Sequence, residues 1–207
     1  VKGVYDADPP LPCNLDIYCP GGGIEIFFTV NAGNPGFILR NCTITGNSGH
    51  EGAGMGIDSE DVGYDLLIEN VIFENNYSDF YGGGLIIDGL GATIIIRDCA
   101  FIGNTGGYAG GGALLYGNSE SDSEKYILIE GTDFRNNSLD FGAGGGLSIT
   151  VYGNNHSFLI DDCLFIENFA GFPFGIVEED EVLEDVEEVV FGAHAAQHRF
   201  PIDAADG

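Results

Sequence analysis

The sequence predicts an all-β fold, a single-stranded right-handed parallel β-helix (solenoid) of about five coils of 28–33 residues. Three observations predict it. Glycine supplies 34 of the 207 residues, about twice the usual share and without the period of three that collagen requires, while 44% of the chain is apolar. Five segments repeat one pattern: FILRNCTITGN (37–47), LLIENVIFENN (66–76), IIIRDCAFIGN (94–104), ILIEGTDFRNN (127–137) and FLIDDCLFIEN (158–168). Between them a second unit recurs, a glycine cluster leading into an alternating run: GGGIEI, GAGMGI, GGGLII, GGGALL and GGGLSI.

The period decides the architecture. A column of Ile44, Phe73, Phe101, Phe134 and Phe165 is spaced 29, 28, 33 and 31 residues apart, a solenoid repeat with loops of variable length. Runs such as IIIRDCAF are β-branched, aromatic and bounded by Gly, Asn and Asp, so each repeat reads as about three short strands and no helix. Coils of that kind stack into parallel sheets about 4.8 Å apart, and the crossover preference makes the winding right-handed. The expected organisation is an N-terminal cap over 1–20, the β-helix over 21–177 and an acidic C-terminal cap or tail over 178–207.

Each column then acquires a role. Met55 and Ile57, Leu85 and Ile87, Ala113 and Leu115, and Leu147 and Ile149 face inward. Ile86 and Leu114 alternate with them on the outside, so a loop or a partner must cover them. Asn47, Asn76, Asn104, Asn137 and Asn168 end the same strand in every coil, where stacked amides can satisfy one another and the turn backbone. This is an expected asparagine ladder. Arg40, Glu69, Arg97, Glu130 and Asp161 alternate largely in sign and suit coil-to-coil pairing.

Five cysteines leave an odd count. Cys42, Cys99 and Cys163 share a column but lie two coils apart, about 9.5 Å, beyond disulfide reach, so they read as buried free thiols. Cys13 and Cys19 are positioned to close a loop at the open end of the helix as a disulfide. Sequons begin at Asn41, Asn76, Asn136 and Asn155; Asn76 belongs to the ladder, and Asn155 is the best glycan acceptor. Beyond the last coil, EEDEVLEDVEEVV carries Val182, Val186 and Val189 at helical spacing and reads either as a capping helix or as a solvated acidic tail.

Charge excludes whole classes of partner. With 33 acidic against 6 basic residues the formal net charge is −27, which repels nucleic acid and anionic lipid heads. No run of 18 apolar residues occurs, so no membrane span is expected in this chain. The pair His194 and His198 lacks the glutamate of a zinc-protease helix, and the glycine clusters lack the lysine of a phosphate loop. No cofactor is expected beyond weak Ca²⁺ at carboxylates such as Asp58 and Asp88 on adjacent strand ends. Tyr81, Tyr108 and Phe141 precede successive glycine clusters and either stack sugar rings or pack on the glycines.

FENN, FIGN, FRNN and FIEN, each followed by a glycine cluster, resemble the paired FxxN and GGA(I/L/V) repeats of the polymorphic outer membrane proteins, within the broad pectate-lyase-like β-helix superfamily. The resemblance covers about residues 21–177. It departs in using GGG for GGA, in Ile44 of the first coil, and in the lack of a membrane barrel in this chain. It implies an extracellular or cell-surface module, part of a longer chain, that adheres to a glycan or protein partner without catalysis. The rival is a polysaccharide-active lyase, hydrolase or epimerase, for which six basic residues and no compelling carboxylate cluster are poor material.

Overall fold

In the computed structural model, the described residues are 23–28, 36–59, 63–91, 93–118, 125–142, 144–152, 156–170 and 186–191. Nineteen strands and no helix occur among them. The first coil holds β1 (Ile24–Phe28), β2 (Gly36–Thr45) and β3 (Ser48–Glu51); the second holds β4 (Met55–Ser59), β5 (Asp65–Glu74) and β6 (Tyr77–Tyr81). From the third coil the long middle strand splits in two: β7 (Leu85–Asp88), β8 (Thr93–Arg97), β9 (Ala100–Ile102) and β10 (Thr105–Gly106). The fourth repeats this with β11 (Ala113–Asn118), β12 (Lys125–Glu130), β13 (Asp133–Arg135) and β14 (Ser138–Leu139). The fifth has β15 (Leu147–Tyr152), β16 (His156–Asp161), β17 (Leu164–Ile166) and β18 (Phe169–Ala170), and β19 (Val186–Phe191) follows.

Strand order shows how the coils wind. One sheet runs β1-β4-β7-β11-β15, a second β3-β6-β10-β14-β18, and a third joins β2 and β5 to the split pairs of later coils, all parallel. The chain is therefore a parallel β-helix with three faces. Left-handed residues make its corners at fixed columns. Asn41, Asn70, Asp98, Gly131 and Asp162, with φ between 47° and 55°, bend the long face, and Gly46, Asn75, Gly103, Asn136 and Glu167 turn it into the second sheet. Asn and Asp tolerate this conformation because their short side chains bond locally.

The core is a set of stacked columns. Phe73, Phe101, Phe134 and Phe165 stack with nearly parallel rings, with centroids 4.7, 4.9 and 4.8 Å apart and interplanar angles of 3° or less. The inward residues of the first sheet, Met55 to Ile149, are fully buried beside them. Glycine is demanded where the second sheet turns into the first. At Gly82, with φ of 60°, a Cβ would come within 2.7 Å of Ile86 Cβ; at Gly84 it would meet the Gly112 carbonyl oxygen at 2.5 Å. The same turns lie against the outward apolar pair, since a Cβ on Gly110 would be 2.6 Å from Leu114 Cβ. Ile86 and Leu114 are accordingly buried.

The asparagine column is bonded along its whole length. Nδ2 of Asn47, Asn76, Asn104 and Asn137 donates to Oδ1 of the next member at 2.9, 2.9, 3.0 and 2.9 Å. Each Oδ1 also accepts the backbone N–H of the preceding member, and Nδ2 of Asn76, Asn104, Asn137 and Asn168 reaches the carbonyls of Ile44, Phe73, Phe101 and Phe134. Turn groups that stacking removes from water are thus satisfied by one side chain per coil.

Outside, Glu69 bridges two coils: Arg40 Nε lies 2.8 Å from its Oε2, and Arg97 Nε donates to its Oε1 at 2.6 Å. Cys42, Cys99 and Cys163 are free and buried. The segment expected either as a capping helix or as a solvated acidic tail is corrected at 186–191, which is neither but a strand antiparallel to β15. The last strand of the first sheet offers a free row of N–H and C=O groups, and pairing with it outweighs the helical spacing of the valines. Cys13, Cys19 and Asn155 lie outside the described residues, as do residues 1–20 and most of 178–207. Among the described residues no helix is long and apolar enough to cross a membrane.

Candidate functional site

The corner that follows the second sheet carries an exposed aromatic row. Strands β3, β6, β10 and β14 are short, and each runs into a glycine turn that leaves no room for bulk on the inner side, so large side chains on the ledge point out. Tyr81 pairs with Ala109 across the coils, which sets Tyr108 level with Phe80. Tyr108 and Phe141 keep 48% and 52% of their surface exposed, while Phe80 and Tyr81 are half-buried.

The rings form a continuous ladder over four coils. His50 stacks on Phe80 with centroids 5.0 Å apart at 16°, Phe80 meets Tyr108 edge-on at 5.1 Å, and Tyr108 lies 6.0 Å from Phe141 at 29°. Tyr81 flanks this line, 4.2 Å from Phe80 and 6.3 Å from Tyr108. Ring centroids at these separations attract one another, so the ledge is rigid without being buried. Carboxylates border it: Asp79 Oδ1 is 2.8 Å from His50 Nδ1, and Glu51 and Asp140 are exposed beside the row.

Sequence reasoning placed Tyr81, Tyr108 and Phe141 here and missed Phe80 and His50. A register shift between Gly49 and Glu51 moves His50 into line, and choosing the aromatic nearest each glycine cluster, rather than aligning the glycines themselves, hides that Phe80, not Tyr81, is the residue level with Tyr108. The signal available was the dipeptide Phe80-Tyr81 ahead of the glycines, where the next two coils have one aromatic each, Tyr108 and Phe141.

The other sheets present different chemistry. Asp58 and Asp88 are register partners with exposed side chains on neighbouring strands of the first sheet. Among the described residues no group of three or more His, Cys, Asp or Glu comes together to hold a metal ion. Glu25, near the start of that face, has its carboxyl pushed above the usual range by burial and by the charges of Asp58 and Glu51. On the long face, Ile38, Leu67, Ile95, Leu128 and Leu159 form an outward aliphatic column in register through all five coils, a feature the sequence reading did not isolate. Each is half-buried, because the equivalent side chains of neighbouring coils cover it above and below.

Stacked coils, a columnar core and a side-chain ladder define this chain as a β-solenoid. The family model described as "Right handed beta helix region" matches residues 17–125, more than half of the sequence, and the chain belongs to that family. No curated protein and no solved structure matches it.

Proposed function

We propose that this chain is a non-catalytic β-helix binding module, displayed outside the cell, whose aromatic ledge holds a glycan. The observation that carries this reading is the ladder His50, Phe80, Tyr108 and Phe141, which advances one ring per coil along a rigid, partly exposed edge. Pyranose rings present apolar C–H faces that pack on aromatic rings, and a row of rings at the coil pitch meets successive sugars of an extended chain. The FxxN and glycine-cluster pairing, which resembles that of the polymorphic outer membrane proteins, supports surface display and membership of a longer adhesive chain.

A second reading, a polysaccharide-active enzyme, has one observation in its favour. Glu25 is a carboxyl of raised pKa beside Asp58 and Glu51, the arrangement from which a general acid and its partner are built. One panel separates the two. Purified protein is screened against immobilised polysaccharides while the same wells are assayed for reducing ends and unsaturated products. The binding reading expects retention without product and at least tenfold weaker retention for Tyr108→Ala and Phe141→Ala. Product release that survives Tyr108→Ala and vanishes in Glu25→Gln would replace it with the enzyme.

A further inference from the structure

The charges around the aromatic ledge go further than its rings. Residues 48–52, 77–82, 105–110 and 138–142, which build the ledge, contain no lysine or arginine. Its one basic group, His50, has Nδ1 engaged by Asp79 at 2.8 Å. The described arginines lie on the long face, with Arg40 and Arg97 held by Glu69 and Arg135 held by Asp133. Against these stand three exposed carboxylates, Glu51, Asp79 and Asp140, spaced over the same coils as the rings, on a chain of formal charge −27.

We propose that the ledge selects amine-bearing glycans, polymers of a protonated amino sugar, over neutral sugars and against uronate or sulfated ones. This deepens the binding reading and rests on it. The aromatic faces supply the sugar platform and also attract a cation through the ring quadrupole, which Tyr108 and Phe141 are exposed enough to do. The carboxylates provide the complementary field. They raise the local concentration of a cationic chain, fix the side on which its amines lie, and repel any polymer carrying acid groups. An acidic polysaccharide would have to lay its charges along Glu51, Asp79 and Asp140 with no guanidinium or ammonium of the ledge to receive them.

The test is calorimetric titration of the whole chain with four probes of equal length: oligo-glucosamine at a pH that protonates its amines, its N-acetylated neutral counterpart, oligogalacturonate, and oligolysine. The proposal expects oligo-glucosamine to bind on the order of tenfold tighter than the neutral oligomer, equivalent to about 1.4 kcal/mol. That preference should shrink as salt rises, with no binding of oligogalacturonate. In Asp79→Asn/Asp140→Asn the preference should collapse while neutral binding persists; in Tyr108→Ala both should fall. Equal binding of charged and neutral sugars would overturn the amine selectivity and leave the glycan-binding reading standing. Oligolysine binding as tightly as oligo-glucosamine would show charge without sugar recognition and overturn it as well. Silence of all three sugars would overturn both.

Discussion

Replacing Asn104 by alanine removes the middle rung of the asparagine ladder. Its Nδ2 donates to the Phe73 carbonyl at 2.9 Å and to Asn137 Oδ1 at 3.0 Å, and its Oδ1 accepts from Asn76 N at 3.1 Å and Asn76 Nδ2 at 2.9 Å. Asn137 Oδ1 keeps the Asn104 backbone N–H, and Asn76 Nδ2 keeps the Ile44 carbonyl. The Asn76 N–H and the Phe73 carbonyl lose the bonds that Asn104 provides, at a site where Asn104 is fully buried. Each buried group left unpaired costs about 1–3 kcal/mol, so the variant loses about 2–6 kcal/mol. For a chain of this size that is about 4–24 °C in Tm. Asn47→Ala is the internal control, because it deletes a single donated bond at a half-buried site and costs about 0.5–1.5 kcal/mol. Urea and thermal unfolding followed by far-ultraviolet circular dichroism measure both. Equal losses for Asn104→Ala and Asn47→Ala would refute the ladder as the device that satisfies the turns.

Phe101→Ala, which empties a fully buried position between Phe73 and Phe134, should cost about 3–5 kcal/mol in the same unfolding assay, and Phe101→Leu less than that. Burial pushes the thiols of Cys99 and Cys163 from an ordinary 9.0 up to about 12 and about 11, and raises that of Cys42 too. A thiol reagent at pH 8, with labelled sites mapped by mass spectrometry, should therefore leave all three unmodified until the chain is unfolded. The same shifts set a pH dependence. The unfolded thiols ionise near pH 9 while the folded ones hold their protons, so the thiols' contribution to stability is fully present below about pH 8 and is lost as pH rises from 9 towards 12. Chemical denaturation midpoints across that range check the sign, and Cys99→Ala should flatten the slope.

Much of the architecture was readable because stacking makes each column repeat its own residue type. Phe at 73, 101, 134 and 165 and Asn at 47, 76, 104, 137 and 168 fix coil length, core face and turn position together. The ledge was only partly legible. Tyr108 and Phe141 stand out in sequence, yet the partner ring is Phe80: the glycine clusters 82–84 and 110–112 align in the hydrogen-bonded register and set Phe80 opposite Tyr108, whereas Tyr81 is only the aromatic nearest its cluster. His50 depends on the irregular pairing of β3 with β6, which leaves no trace in composition. Strand β19 was outside the helix-or-tail alternative for another reason: valines spaced by three or four residues suit a helix in isolation, and only the open edge of β15 supplies the backbone partner that makes a strand. The outward aliphatic column was present in the alternation of the long strands. It is easily taken for core because those strands are apolar on both sides.

Hydrogen exchange of the amides of the whole chain, with and without saturating oligo-glucosamine, tests the central claim most directly, since it reports where a sugar sits independently of any substitution. The account predicts slowed exchange confined to residues 77–82, 105–110 and 138–142, the ledge that carries Phe80, Tyr108 and Phe141. Protection centred instead on β1 and β4, around Glu25 and Asp58, with the ledge unchanged, would contradict it.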